Sequence, residues 1–225
     1  MKIKLIGCHS TMNEVRAQVS GQGIDCEFLD YSFHAQPEKL HAKLQEIINE
    51  SQAYDLIILT YGRCSNSMVG LLSPHVPLLF PATHDCIGLM LGSTTRHMEL
   101  FKENSLTYYF SQGWLDYGRT PLAEYYEYET QFGEKKARKL IKMLYGRYQK
   151  AVFIKTPGIN DPERYQKKVR EIADFFGWEV GEIEGDISLL SSVVRGIKVP
   201  ESIYIEAGQV ITLELLAGGR QKNND

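Results

Sequence analysis

Two kinds of hydrophobic pattern alternate along the chain. Short apolar, often β-branched runs end at glycine or a small polar residue, and longer stretches repeat apolar positions every three or four residues. In the first half, residues 2–7, 23–29, 55–60, 76–80 and 107–110 predict strands. The run at 55–60, Asp-Leu-Ile-Ile-Leu-Thr, is nearly continuous, as in a strand buried on both faces of a parallel sheet. Between these runs, Thr11 is expected to cap a helical segment and Pro37 to open a helix with Leu40, Leu44, Ile47 and Ile48 on one face. Ile87 begins a short buried helix, and residues 119–147 form a charged, tyrosine-rich helical stretch that Gly133 breaks or bends.

The second half repeats the alternation. Strands are expected at 151–155, 178–183, 202–205 and 209–213, with helices beginning at Asp161-Pro162 and at Ile187 and a polar, frayed tail at 218–225. Strands alternating with helices predict an α/β fold with a largely parallel, open, Rossmann-like sheet. The expected organisation is one domain over residues 1–225, with two similar lobes at 1–118 and 150–215 joined by the helical segment 119–147.

Composition leaves that picture unchanged. The chain has 225 residues, 43% hydrophobic and 24% charged, with a net charge of −3. No apolar run approaches the roughly 20 residues of a membrane span. The one dense basic run, at 135–139, falls within an amphipathic helical pattern and reads as a solvated face, so no nucleic-acid partner is expected. With no apolar signal core near Met1, a cytoplasmic location is expected. Four cysteines in such a chain read as metal-binding or catalytic thiols in preference to a disulfide framework.

The cysteine positions do change the picture. Cys8, Cys64 and the pair His84/Cys86 each follow a different predicted strand by a few residues. Parallel strands place their carboxyl ends along one edge, where ligand crevices form, so these residues are expected to converge. Three sulfurs and one imidazole suit a tetrahedral zinc site, and three thiolates suit an iron–sulfur cluster. Cys26 lies inside its strand and is expected to be a small buried hydrophobe. Asp85 is expected to orient a ligand or cap a helix. Arg63, beside Cys64, and Asn66 supply charge and an amide to the same loop, and Trp114 either walls the pocket or belongs to the core. Glu184-Gly185-Asp186 either faces the crevice or forms a turn in which Asp186 caps the next helix. The remaining histidines, His9, His34, His41, His75 and His97, show no comparable convergence and are expected to be surface or structural residues, with His9, which adjoins Cys8, the foremost exception. No Gly-x-Gly-x-x-Gly, Gly-x-Ser-x-Gly or Walker-type pattern is present.

Several segments together resemble the family called DUF1638: Tyr61-Gly62-Arg63-Cys64-Ser65-Asn66, the run from His84-Asp85-Cys86 to Ser93, Tyr108-Tyr109-Phe110 with Gly113-Trp114, and Glu184-Gly185-Asp186 with Leu189-Leu190. Here Ser65 stands where that family typically has glycine, Ala82 where an arginine is usual, and Glu206-Ala207-Gly208 where a Pro-Pro-Gly is usual. The resemblance implies an association with anaerobic one-carbon metabolism and corrinoid-dependent methyltransferases. The His-x-Cys plus distant Cys set is also similar in ligand type to the zinc sites of thiol-activating methyltransferases. Together these readings lead to a metal-binding protein, with zinc or an iron–sulfur cluster as cofactor, a small-molecule thiol as substrate and a corrinoid protein as partner. The competing expectations are a non-catalytic accessory that delivers metal or electrons to such a system, and metal-free thiol redox chemistry between Cys64 and Cys86. The last is weakened by the lack of a Cys-x-x-Cys pair.

Overall fold

The computed structural model describes residues 1–63 and 66–217. The chain is an α/β protein built on two largely parallel open sheets. β1 (Ile3–Cys8), α1 (Met12–Val19), β2 (Asp25–Leu29), α2 (Pro37–Glu50), β3 (Leu56–Thr60) and β4 (Leu78–Pro81) lay down most of the first sheet. With β8 (Ser202–Ile205) from late in the chain, its strand order is β2-β1-β3-β4-β8, and β1 to β4 run parallel. β3 lies at the centre and every one of its residues is buried, which accounts for its unbroken apolar sequence.

Alternation along the central strands divides the first core into two layers. Ile6, Ile57, Leu59, Leu78 and Phe80 face α2, where Leu40, Leu44, Ile47 and Ile48 meet them at helical spacing. Leu5, Ile58 and Leu79 face the other way, onto Val15 and Val19 of α1 and onto the later helix α9 (Ser188–Val194).

After β4 the chain runs through α3 (Cys86–Met90) and α4 (Thr94–Glu103) to the second sheet. β5 (Thr107–Phe110) pairs there with β6 (Lys150–Lys155), and β6 with β7 (Glu179–Glu184), all parallel. Between them come α5 (Gln112–Tyr117), α6 (Pro121–Phe132), α7 (Glu134–Tyr145) and α8 (Pro162–Phe176). Gly133, at φ 79°, separates α6 from α7, so the expected helical stretch is two helices. The chain then returns through α9 (Ser188–Val194) to β8 (Ser202–Ile205), which lies antiparallel beside β4.

Strand pairing therefore cuts across the expected 1–118 and 150–215 lobes. β5 pairs with β6, while β8 completes the first sheet and α9 packs against it. Two local expectations are corrected. Residues 209–213 form no strand, only an isolated Leu72–Val210 bridge before α10 (Leu213–Ala217). Thr11 occupies the α1 cap position, but its hydroxyl bonds the Cys8 carbonyl at 3.1 Å, so it does not cap the helix through its side chain. The 218–225 tail lies outside the described residues. Among those described, no helix is long and apolar enough to cross a membrane.

Candidate functional site

β1, β3 and β4 are mutually parallel, so their carboxyl ends share one edge of the first sheet. Cys8 ends β1 and Cys86 opens α3 after β4. Cys64 follows β3 in sequence but, like Ser65, lies outside the described residues. The chain on both sides of it is described. The Arg63 amide donates to the Thr83 carbonyl at 2.9 Å, and the Asn66 amide donates to the Arg63 carbonyl at 2.8 Å. Gly62 packs so closely on the backbone of Asp85 that an added Cβ would stand 2.8 Å from the Asp85 Cα. The loops after β3 and β4 are thus clasped backbone to backbone, with Cys64 one residue beyond the clasp and His84 one residue from Thr83.

Asp85 is the hub of the second loop. Its Oδ1 accepts from the Gly88 amide at 3.1 Å and so caps α3. Its Oδ2 stands 3.4 Å from Nδ1 of His84, whose ring is largely exposed. Nδ1 of His97 lies 3.4 Å from Oδ1, within ion-pair distance but not aligned for a hydrogen bond. Cys8 is buried at 5% exposure, and its Sγ accepts from the Ser10 amide at 3.5 Å. Burial pushes its thiol above the ordinary range. Among the described residues, no three His, Cys, Asp or Glu side chains are grouped so as to hold a metal ion. Cys8, His84 and Cys86 are all among them, so as placed these three do not form a ligand set by themselves, and Cys64, the fourth residue expected there, lies outside the described residues.

Cys26 is separate, as expected, but it is only partly buried on a strand at the sheet edge, not the fully buried hydrophobe anticipated. It pairs in register with Leu5, three residues before Cys8, and packs on the opposite sheet face. Asp186 lies in a turn and accepts from the Ser188 amide at 2.8 Å, but the cap position of α9 falls to Ile187, so Asp186 does not cap that helix as expected. Nε of Arg63 is buried without a hydrogen-bond partner among the described residues. Asn66 is exposed with a left-handed backbone at φ 56°.

Trp114 does wall a pocket. A cavity of about 260 Å³ opens beside Cys86, lined by His34, Asp85, Ile87, Thr107, Tyr108, Tyr109, Trp114 and Tyr148. It lies between the carboxyl edge of the first sheet and β5, the edge strand of the second. α5 packs tightly on the turn after β1, where a Cβ on Gly113 would stand 2.1 Å from the Ser10 carbonyl oxygen. Tyr31 braces the wall, edge-on to Trp114 with centroids 4.5 Å apart and stacked on His34 at 5.1 Å. Sequence reasoning missed Tyr31, His34 and His97. The first two follow β2, so the strand-end argument extended to β2 finds them; His97 reaches Asp85 from α4, and no sequence signal marks it.

No curated protein matches the chain. Among solved structures, the catalytic subunit of M. jannaschii aspartate transcarbamoylase in an orthorhombic crystal form is similar at 14% identity. That match covers 80% of this chain and 55% of the other, with a TM-score of 0.25, which is too low to carry an argument about fold or activity. The family model described as "Protein of unknown function (DUF1638)" matches residues 28–194, and with most of the two-sheet body inside that match, the chain belongs to the DUF1638 family.

Proposed function

We propose that the protein binds a transition metal, zinc or the iron of an iron–sulfur cluster, through Cys64, His84 and Cys86 with Cys8 as a fourth ligand that a small thiol displaces, and presents that thiol for methyl transfer from a corrinoid. The observation that carries this reading is the clasp between the loops after β3 and β4. It keeps Gly62 and Arg63 against Asp85 and Thr83, so the cysteine of one loop and the His-x-Cys of the other issue from touching backbone.

The surroundings of His84 fit a ligand role. A carboxylate beside Nδ1 fixes the ring and leaves Nε2 for a metal, the usual arrangement around metal-bound histidine. The Ser10 amide already points at Cys8 Sγ, and such a donor stabilises a thiolate. A bound zinc ion would keep a coordinated thiol deprotonated and nucleophilic. This chain's own residues would orient that thiol. Asp85 steadies the His84 ring, and Trp114 and Tyr109 wall the neighbouring pocket with apolar surface that limits water. A reducing, cytoplasmic setting belongs to the proposal, because it keeps cysteine thiols reduced and free to ligate a metal.

The test is demethylation of methylcobalamin by protein loaded with zinc under anaerobic conditions, with a small thiol as acceptor, followed by the cobalamin absorbance. Turnover that disappears in Cys64→Ala supports the reading. Stoichiometric metal without turnover converts it to the accessory role, delivery of metal or electrons to a corrinoid system. Wild-type protein that binds neither zinc nor iron rejects both.

A further inference from the structure

The pocket beside Cys86 has a composition that the metal reading does not explain. Five of its lining residues carry aromatic rings: His34, Tyr108, Tyr109, Trp114 and Tyr148. The one carboxylate among them is Asp85. We infer that this pocket binds a methylated ammonium cation, tertiary or quaternary, with the rings around the methyl groups and Asp85 as counter-charge. The inference goes beyond the reading above and does not rest on it.

Ring faces carry negative potential, and aromatic enclosures recognise quaternary ammonium groups for that reason. Elsewhere in this protein the rings near a cation are already supplied from the chain, as where Arg119 lies over Tyr128 and Arg138 over Tyr125. Among the described residues, no lysine or arginine is placed over the rings of the pocket, and the ion-pair partners of Asp85 are the imidazoles of His84 and His97. A ligand cation would supply the missing charge. A neutral planar ligand would cover Asp85 without pairing it, and an anion would meet a carboxylate and aromatic faces.

The enclosure is held by further rings. Tyr108 stacks on Trp178 at 5.9 Å and meets Tyr148 edge-on at 5.1 Å, while His97 stands edge-on to Tyr109 at 6.1 Å. With Tyr31 bracing His34 and Trp114, little ordering of side chains remains for binding to pay in entropy. Burial raises the phenol of Tyr108, so that ring stays neutral at physiological pH and acts through its face. A primary ammonium would need three hydrogen-bond acceptors, whereas methyl groups need apolar contact, and the lining provides mostly the latter.

The experiment is calorimetric titration of the full chain with choline and with 3,3-dimethylbutan-1-ol, which has the same shape without the charge. It is run on chelator-treated and on zinc-loaded protein, with metal content measured in each sample. Choline is expected to bind at least about tenfold more tightly than the alcohol, the difference a partly desolvated cation–π site with a counter-charge supplies. Asp85→Asn and Tyr148→Leu, checked for folding by circular dichroism, are each expected to weaken choline and leave the alcohol little changed. Equal affinity for choline and the alcohol overturns the inference, as does no choline binding up to about 100 mM, far weaker than such enclosures achieve. Protein that binds zinc but not choline overturns this inference alone, and protein that binds choline but not zinc overturns the metal reading alone.

Discussion

A methyl group added at Gly62 probes the clasp between the two loops most sharply. The new Cβ of Gly62→Ala would stand 2.8 Å from the Asp85 Cα, 2.9 Å from its nitrogen and 3.0 Å from its carbonyl carbon. Carbon atoms pack comfortably at about 3.5 Å or more, so the loops must part by roughly 0.7 Å, and the obstacle is backbone that no rotamer change relieves. Overpacking of this kind costs about 1–3 kcal/mol of stability. Metal–ligand distances tolerate only about 0.2 Å, so the same displacement strains any ligand set that spans the two loops. The apo protein should therefore lose about 1–3 kcal/mol in urea unfolding. Zinc affinity, read by competition with a chromophoric chelator, should fall about tenfold or more. A variant that loses stability but keeps wild-type zinc affinity would refute the claim that the metal is held across the clasp.

Two further substitutions test the body around the site. Gly113→Ala would place a Cβ 2.1 Å from the Ser10 carbonyl oxygen, closer than any contact allows, so α5 must shift by about 1 Å. Stability should fall by about 3 kcal/mol, with a red shift in Trp114 emission as the pocket wall moves, and unchanged unfolding and emission would contradict the packing described. Glu14 is buried, with Oε1 accepting from the Thr156 hydroxyl at 3.0 Å and Oε2 lacking a hydrogen-bond partner among the described residues. Burial raises its carboxyl above the ordinary 4.5, so the folded chain holds the proton more tightly than the unfolded chain does. The wild type should lose stability as pH rises from about 4.5 through the raised value, and Glu14→Gln should lack that slope. Within that window the wild type should fall relative to Glu14→Gln by about 1.4 kcal/mol for each pH step of one, and parallel stability curves from about pH 4.5 to 8 would rule this out.

The sheet framework was legible in the sequence because burial writes itself into composition. β3 is apolar throughout because it lies at the centre of its sheet with both faces covered, and α2 shows its face because Leu40, Leu44, Ile47 and Ile48 all meet the same layer. The break at Gly133 was legible because the chain there needs a positive φ. Which strands share a sheet was not. β5 looks alike whether it joins β4 or β6, and β8 carries no mark of running antiparallel, since pairing is settled by contacts distant in sequence. The apolar run at 209–213 misled because Ile211 is buried in the first core without joining a sheet.

The site was legible to the same depth. Strand ends placed Cys8 and the His84-Asp85-Cys86 turn at one edge and separated Cys26 from them. The capping role of Asp85 followed from its position before a helix. The aromatic pocket was mostly hidden, because its rings come from the residues after β2, the edge strand β5, Trp114 of α5 and Tyr148, four segments with no shared motif. His97 needed the fold of α4 against Asp85 to become visible.

The central claim is that Cys64, His84 and Cys86, with Cys8, make one metal centre. X-ray absorption at the zinc edge of anaerobically loaded protein tests it most directly. One zinc per chain is expected, with a sulfur-dominated shell at about 2.3 Å and one nitrogen at about 2.0 Å. The sulfur amplitude should fall in Cys86→Ala and stay unchanged in Cys26→Ala. A shell of nitrogen and oxygen alone, or equal loss of sulfur in Cys26→Ala, would contradict the account.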